Sequence, residues 1–287
     1  MKMKKMFFVL SLIFLNCSPK KLPSEKYIQY AYEMSSKFES DTLRLSIKNP
    51  LYAPLRFFIY YDNDTLENDL KTIKRVTLNP KSDTTLIIYD VKDFKNNIKV
   101  STLLGSLEKK ILPIEIDLPF QDGREFSIIQ GNNSDFTHNT EYSIYALDFD
   151  MKTKDTICSA TDGYVVGVVD RYKYSGKTEK WTPFSNFITI YEPNSGVFCQ
   201  YVHLAENGSL VKVGDKVERG QKIALSGKTG RSTMEHLHFN LLIPVDNSDG
   251  LKSIPIIFKG GIEGKKLKRG DKLKKITGYS KDSRSFC

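Results

Sequence analysis

Short runs of alternating apolar and polar residues dominate the chain between residues 27 and 260. Runs such as 43–47 (LRLSI) and 85–89 (TLIIY) have the two-residue period of strands that bury one face. Clusters of Asn, Asp, Pro and Gly separate these runs, and no helix-dominated segment or internal repeat interrupts them. The pattern predicts an all-β chain.

The spacing of the runs divides this chain into regions. Over residues 27–117 the short strands and frequent turns are typical of an immunoglobulin-like β-sandwich, which carries no histidine and which we interpret as a spacer or binding domain. Residues 118–260 are again rich in strands, with glycine at the turns. A Lys-rich extension, residues 261–287, follows, and it either packs back on that domain or frays.

The N-terminal residues 1–17 have the form of a signal peptide, with a basic start and an apolar run too short to span a bilayer. Cys17 ends that run and resembles the acylated cysteine of a bacterial lipobox, although Phe14 and Asn16 depart from the usual residues. We therefore expect an exported, cell-envelope lipoprotein anchored in the membrane through Cys17, with residues 18–26 as a tether. Simple secretion and an uncleaved membrane anchor are the alternatives.

The composition limits the kinds of partner that we expect this chain to bind. The net charge of +9 comes mostly from Lys, and it indicates either a solvated exterior or attraction to an anionic membrane or wall polymer. The chain has no helix-turn-helix, zinc-finger or RNP-type pattern, so we expect no nucleic-acid partner. Cys158 and Cys199 lie in apparent buried strands, where they either pair or act as two small apolar side chains.

The four histidines of the chain, with one aspartate, carry the candidate chemistry. In 236–239 (HLHF), alternation projects His236 and His238 together and turns the apolar residues to the core. In 145–149 (YALDF) the same alternation separates Asp148 from its large apolar neighbours. Two imidazoles and a carboxylate are a typical ligand set for a catalytic zinc ion with an open position.

A third strand is predicted over residues 201–204 (YVHL), where alternation places Tyr201 and His203 on one face. If the three strands are neighbours, their polar groups converge. Tyr201 then either orients His203, contacts a substrate or packs at the rim. Asn186, at the start of another strand, is a further candidate for the groove.

The segment from His138 to Phe239 resembles the lysostaphin-type zinc metallopeptidases, which cleave peptide bonds in bacterial peptidoglycan. The ordered set of His138, Asp148, His203 and the His-Leu-His carries the resemblance, which covers roughly residues 118–260. Further matching segments are ATDGYVV at 160–166, NFITIY at 186–191 and VGDKVERGQKIALSGKTG at 213–230.

The resemblance implies a lysostaphin-type β-sheet and barrel-sandwich peptidase fold and a single Zn²⁺ held by His138, Asp148 and His238. It implies that His203 and His236 are the catalytic pair, one accepting a proton from water and the other hydrogen-bonding the developing oxyanion. Because the gap of ten residues between His138 and Asp148 is longer than in many relatives, Asp150 and Asp135 are lesser candidates for the carboxylate ligand.

The implied function is zinc-dependent hydrolysis of peptidoglycan stem peptides or cross-bridges. One alternative is a non-catalytic envelope regulator of the same fold that activates another cell-wall hydrolase, and another is an adhesion or scaffold protein. We expect loops to line the groove, including an exposed, adaptable segment at 171–185 that holds Trp181. Glu235 either tunes His236 or is a solvated side chain.

Overall fold

The computed structural model describes residues 21–61, 71–89, 98–134 and 136–276. The predicted signal peptide, Cys17 and the alternative ligand Asp135 lie outside these residues. Within them the regular structure is almost all β-strand, as the alternation predicted, and the helical residues form two short 3₁₀ helices at Glu179–Phe184 and Gly264–Lys266. No helix among the described residues has the length and apolar character needed to cross a bilayer.

Two three-stranded antiparallel sheets make up the first part of the chain, in the orders β1-β2-β5 and β4-β3-β6. Alternate residues such as Leu45 of β2 and Phe57 of β3 are fully buried in one shared core, so the two sheets form a sandwich. Its immunoglobulin-like assignment stays a prediction. The strands are β1 (Glu33–Glu39), β2 (Thr42–Lys48), β3 (Leu55–Tyr61), β4 (Lys71–Leu78), β5 (Asp83–Ile88) and β6 (Ile98–Leu104).

A nine-stranded sheet organises the second part, in the order β15-β10-β12-β13-β18-β8-β7-β22 with β19 beside β18. Its strands are β7 (Glu125–Gln130), β8 (Leu147–Phe149), β10 (Gly163–Val169), β12 (Phe187–Tyr191), β13 (Phe198–Val202), β15 (Lys216–Val217), β18 (Leu237–Pro244), β19 (Leu251–Ser253) and β22 (Lys272–Lys274).

The largest core cluster joins this sheet to a three-stranded sheet of order β14-β16-β9, because it contains Phe239 and Phe149 from the first and Ile157 and Ile223 from the second. The smaller sheet consists of β9 (Thr156–Cys158), β14 (Leu204–Ser209) and β16 (Lys222–Ser226). Two-stranded pairs are formed by β11 (Ser175–Gly176) with β17 (Gly230–Arg231), and by β20 (Ile257–Phe258) with β21 (Ile262–Glu263).

The sandwich packs directly on the second part of the chain. Its core continues into Phe198 and Leu242 of the large sheet. The buried Arg56 guanidinium also donates hydrogen bonds to the carbonyls of Val245 and Gly250, at 2.8 and 2.6 Å. The two parts are therefore joined by a common apolar core and by a buried, charge-assisted contact.

The Lys-rich extension packs back on the second part as far as residue 276, which was one of the two outcomes expected for it. Strand β22 pairs antiparallel with β7, and the buried Lys275 ammonium lies 3.7 Å from carboxylate oxygens of both Asp117 and Asp122. The sequence-based division at residue 260 stays a prediction, but the sheet continues across it.

Cys158 and Cys199 are both free thiols in the structure, and both are buried. Burial raises the pKa of the Cys199 thiol to about 12 and also raises the pKa of Cys158. The reading of these residues as small apolar side chains therefore holds, and neither has the thiolate character that reactive cysteines need.

Candidate metal centre

Cross-strand pairing brings Asp148 and His238 together. Strand β8 pairs with β18 in a register that sets Asp148 opposite His238. His238 Nδ1 lies 2.9 Å from Asp148 Oδ1. The apolar neighbours Leu237 and Phe149 are fully buried in the main core, so alternation separates chemistry from packing as the sequence indicated.

His138 joins this pair from the turn that follows β7. Its Nε2 lies 3.2 Å from Asp148 Oδ1 and 3.1 Å from His238 Nδ1. On the other side of the ring, Nδ1 donates a hydrogen bond to the Gly131 carbonyl at 2.8 Å. That bond fixes the tautomer, so the neutral imidazole presents the Nε2 lone pair to Asp148 and His238.

These three residues fit a tetrahedral metal site. Their ligand atoms all lie within 4.8 Å of one another. The separations of 2.9, 3.1 and 3.2 Å are close to the ligand–ligand edge of a tetrahedral zinc site, about 3.3–3.4 Å for bonds of about 2.0–2.1 Å. Two imidazole nitrogens and a carboxylate oxygen that converge this closely have the donor types and spacing that suit a metal cation.

Asp148, and not Asp150, supplies the carboxylate of this group. Asp148 is 3 % exposed and meets three imidazoles, whereas the Asp150 side chain pairs with the Lys152 ammonium at 2.7 Å. Burial alone would raise the pKa of Asp148, but the imidazoles of His236 and His138 outweigh it and hold that pKa well below the usual range. The carboxylate is therefore ionised at neutral pH.

His203 reaches the site through a bend in the backbone. It lies between the end of β13 and the start of β14, with a left-handed φ of 65°. This interruption makes the predicted face pairing of Tyr201 with His203 wrong. Tyr201 is fully buried, pairs across the strands with Phe239, and accepts a hydrogen bond from the Ala160 backbone N–H at 2.7 Å.

His203 and His236 form a second pair of imidazoles beside the first group, with ring centroids 4.6 Å apart. His203 Nδ1 donates to the Thr229 carbonyl at 2.7 Å, and His236 Nδ1 donates to the Met234 carbonyl at 3.0 Å. Each neutral ring therefore keeps Nε2 as its proton acceptor. His236 Nε2 lies 3.6 Å from Asp148 Oδ2.

Burial lowers the pKa of His203 well below its usual value, and the nearby imidazoles of His236 and His238 add to the effect. His203 is only 8 % exposed, so its charged form loses most of its solvation. The ring is therefore neutral at neutral pH and can accept a proton.

The carbonyl groups that orient the histidines are the part of the site that sequence reasoning missed. Gly131, Thr229 and Met234 each contribute only a backbone oxygen. Any residue type offers that oxygen, so the sequence carries no signal for it.

Asn186 lies behind the site and not in the groove, where the sequence had suggested it. It is fully buried, and its side-chain amide donates to the carbonyls of Tyr172 and Ala205 at 2.8 and 3.1 Å. Its backbone N–H donates to Thr229 Oγ1 at 3.0 Å. Asn186 thus braces the segment whose Thr229 carbonyl orients His203.

The structure also bears on the expectations for two residues near the site, Glu235 and Trp181. Glu235 accepts a hydrogen bond from the Thr153 hydroxyl at 2.6 Å, which favours its reading as a surface side chain. Trp181 is 7 % exposed and packs with Phe184 and Tyr172, so its part of the 171–185 segment is a small core and the expected exposed wall is wrong there.

An open cleft of about 540 Å³ gives access to the site. Asp148, His203 and His236 line it, together with the end of β7 and the turn at Leu267–Arg269. His138 and His238 lie behind the cleft surface, and His138 is fully buried. The three residues whose geometry fits a metal ion therefore lie at the back of an open cleft.

Comparison with known proteins agrees with this geometry. Residues 142–249 match the model of peptidase family M23, a range that contains Asp148, His203, His236 and His238 and begins after His138. The part of the chain that holds most of the site is therefore similar to peptidase family M23.

Two curated relatives illustrate the similarity. The peptidoglycan DD-endopeptidase ShyB of Vibrio cholerae is 40% identical over 110 residues, which is 38% of this chain and 23% of that protein. Lysostaphin of Staphylococcus simulans is 33% identical over 121 residues, 41% of this chain and 22% of that protein. The chain thus spans about a quarter of the length of these relatives.

Among solved structures, the catalytic domain of lysostaphin from Staphylococcus simulans superposes with a TM-score of 0.33 at 25% identity. The superposition covers 45% of this chain and 87% of that domain.

Proposed function

We propose that this protein is a zinc-dependent endopeptidase that hydrolyses peptide bonds in bacterial peptidoglycan. One observation carries the proposal: His138, Asp148 and His238 bring three ligand atoms within 4.8 Å of one another, directly beside the imidazole pair of His203 and His236. The peptidoglycan DD-endopeptidase and lysostaphin relatives support the choice of substrate.

In this proposal His138 Nε2, His238 Nδ1 and Asp148 hold one Zn²⁺ per chain. Bound zinc supplies Lewis-acid chemistry, which polarises a peptide carbonyl and makes water a better nucleophile near neutral pH. The Gly131 carbonyl keeps the His138 lone pair aimed at the other two ligands. The carboxylate of Asp148 compensates part of the cation's charge in a buried setting.

His203 and His236 are the proposed catalytic pair. Both rings present Nε2 because Nδ1 is committed to a backbone carbonyl. A neutral ring accepts a proton from the attacking water, and a protonated ring donates a hydrogen bond to the oxyanion that forms at the scissile carbonyl. His203, whose pKa burial lowers, is suited to remain the neutral acceptor.

A paired measurement of zinc content and wall cleavage tests the proposal on the full chain purified in detergent. We expect about one zinc ion per chain and turnover of purified peptidoglycan. His236→Ala should retain the zinc and reduce turnover at least about a hundredfold, because a general acid–base group is lost.

Glu235→Gln is the matched control, since it alters the residue next to His236 whose carboxylate contacts Thr153 instead. It should behave like the wild type. A protein without zinc, or equal cleavage by wild type and His236→Ala, contradicts the proposal. A zinc-loaded protein that cleaves nothing but stimulates another wall hydrolase would instead support the regulator.

We also propose that the chain is exported and held at the membrane by acylation of Cys17. The basic start, the short apolar run and the position of Cys17 at its end support this proposal. Cys17→Ala should move the protein from the membrane fraction to the soluble fraction, whereas Cys287→Ala, a second cysteine exchange, should not. Membrane retention of Cys17→Ala would refute the anchor.

A further inference from the structure

The C-terminal extension forms one wall of the cleft. Leu267, Lys268 and Arg269 line it opposite the segment that carries Arg231 and Met234. These three residues follow the range that matches the M23 family model, which ends at residue 249. This wall therefore lies outside the range that matches the family model.

The wall is held in place by backbone bonds to β7. The Gly270 N–H donates to the Ile128 carbonyl, and the Ile128 N–H donates to the Asp271 carbonyl, both at 2.8 Å. The Lys268 N–H donates to Asp271 Oδ2 at 2.8 Å, which closes the turn. The Lys268–Arg269 turn is thus fixed beside the cleft by the same strand that leads to His138.

A close contact between Gly131 and the Leu267 carbonyl also fixes the position of this wall. A Cβ at residue 131 would lie 2.7 Å from the Leu267 carbonyl oxygen, closer than real Cβ contacts. The wall therefore touches the residue whose carbonyl orients His138.

Positively charged side chains outnumber negatively charged ones along the described lining of the cleft. Lys268 and Arg269 are exposed, and no ion pair is found for either side chain within the part of the chain that the structure describes. Across the cleft, Arg231 Nη1 lies 3.5 Å from Glu179, whose side chain is 84% exposed, and the buried Arg231 Nε has no hydrogen-bond partner. Of the described residues that line the cleft, Asp148 is the acidic one, and its oxygens face three histidines.

We propose that this cationic wall binds a free carboxylate of the substrate peptide, close to the bond that is cleaved. The inference rests on the proposed endopeptidase function and narrows it to peptides that carry free carboxylates, such as stem peptides with acidic or diamino-acid residues. A glycine bridge has no side-chain charge and gains nothing from three cations. The planar guanidinium groups suit a carboxylate because they can donate two parallel hydrogen bonds.

Three synthetic substrates test this proposal with the full zinc-loaded chain: a cross-linked stem peptide with free side-chain carboxylates, the same peptide with those carboxylates amidated, and a pentaglycine-linked peptide. We expect kcat/KM to be about tenfold higher for the free carboxylate than for the amide, the size of one charge-assisted contact. Lys268→Ala/Arg269→Ala should remove most of this preference, because kcat/KM falls more for the free-carboxylate peptide than for the amidated one.

Lys265→Ala/Lys266→Ala is the matched control, because it removes two charges from the same extension at residues that pair with Glu263. It should keep the preference. Equal cleavage of the free and amidated peptides, a preference that survives both Lys268→Ala/Arg269→Ala and Arg231→Ala, or best cleavage of the pentaglycine peptide would each overturn the proposal.

A binding measurement separates this proposal from the proposed activity. Fluorescence anisotropy of labelled peptides with the His236→Ala chain needs no turnover, and we expect tighter binding of the free-carboxylate peptide. If that preference is found but the wild type cleaves none of the peptides, the carboxylate site stands and the endopeptidase function fails. If the wild type cleaves and binding shows no preference, the carboxylate site fails alone.

Discussion

Replacing Tyr201 with Phe tests whether this residue belongs to the catalytic apparatus or to the core. Tyr201 is fully buried, and its ring centroid lies 5.1 Å from that of Phe239. Its hydroxyl accepts a 2.7 Å hydrogen bond from the Ala160 N–H, which is also fully buried. Substitution by Phe keeps the ring and removes the hydroxyl that accepts this bond.

The expected cost follows from this bond. Because the ring remains, no large cavity opens, and the main loss is a buried N–H left without a partner, about 1–3 kcal/mol. For a chain of this size that corresponds to a decrease in Tm of roughly 2–12 °C. The hydroxyl contacts neither the proposed zinc ligands nor the two proposed catalytic imidazoles, so kcat/KM should stay within about twofold of the wild type.

Thermal unfolding measures the first effect, and peptide cleavage at a temperature well below the transition measures the second. Tyr60→Phe is the control. The Tyr60 hydroxyl makes a long, exposed contact of 3.4 Å with Ser101 Oγ, so this substitution should lower the free energy of unfolding by less than about 0.5 kcal/mol. A tenfold or larger loss of kcat/KM in Tyr201→Phe at unchanged Tm would refute the assignment to the core.

Three further outcomes are expected. Gly131→Ala places a methyl group 2.7 Å from the Leu267 carbonyl and shifts the carbonyl that orients His138, so competition with a chelator should show zinc affinity reduced about 10–100-fold. Cys199, whose pKa burial raises to about 12, should resist thiol reagents at pH 8 in the folded chain and react after urea unfolding, as peptide mapping by mass spectrometry will show. In metal-free protein the pKa of His203 is lower in the folded chain than in the unfolded chain. Below about pH 6.5 the unfolded chain therefore binds a proton that the folded chain does not, so the free energy of unfolding falls as the pH falls. His203→Gln should flatten that slope by up to about 1.4 kcal/mol per pH unit in denaturant titrations, and an unchanged slope would contradict the assignment.

Much of the ligand set could be predicted because it depends on local alternation. In HLHF the alternation turns His238 away from the buried Leu237 and Phe239, and in LDF it turns Asp148 away from Leu147 and Phe149. The histidine order and spacing then suggested the family. The same rule failed at His203, because a left-handed backbone there breaks the alternation that it assumes.

The extension after residue 260 shows a second limit. Its Lys-rich composition left packing and fraying equally open, and the pairing of β22 with β7 decided between them. A polar segment can pack only where another part of the fold offers a free strand edge. The local sequence of the segment does not indicate whether such an edge exists. Its contribution of Lys268 and Arg269 to the cleft therefore became visible only in three dimensions.

The sequence by itself determined the all-β class and the separation of Asp148 and His238 from their apolar neighbours. These are consequences of side-chain chemistry and of the two-residue period of a strand. Tertiary structure decided which carbonyls orient the imidazoles, that Tyr201 packs in the core, and that residues 267–269 form one wall of the cleft. Those features depend on backbone groups and sheet edges that are distant along the chain, and every residue type carries the same backbone groups.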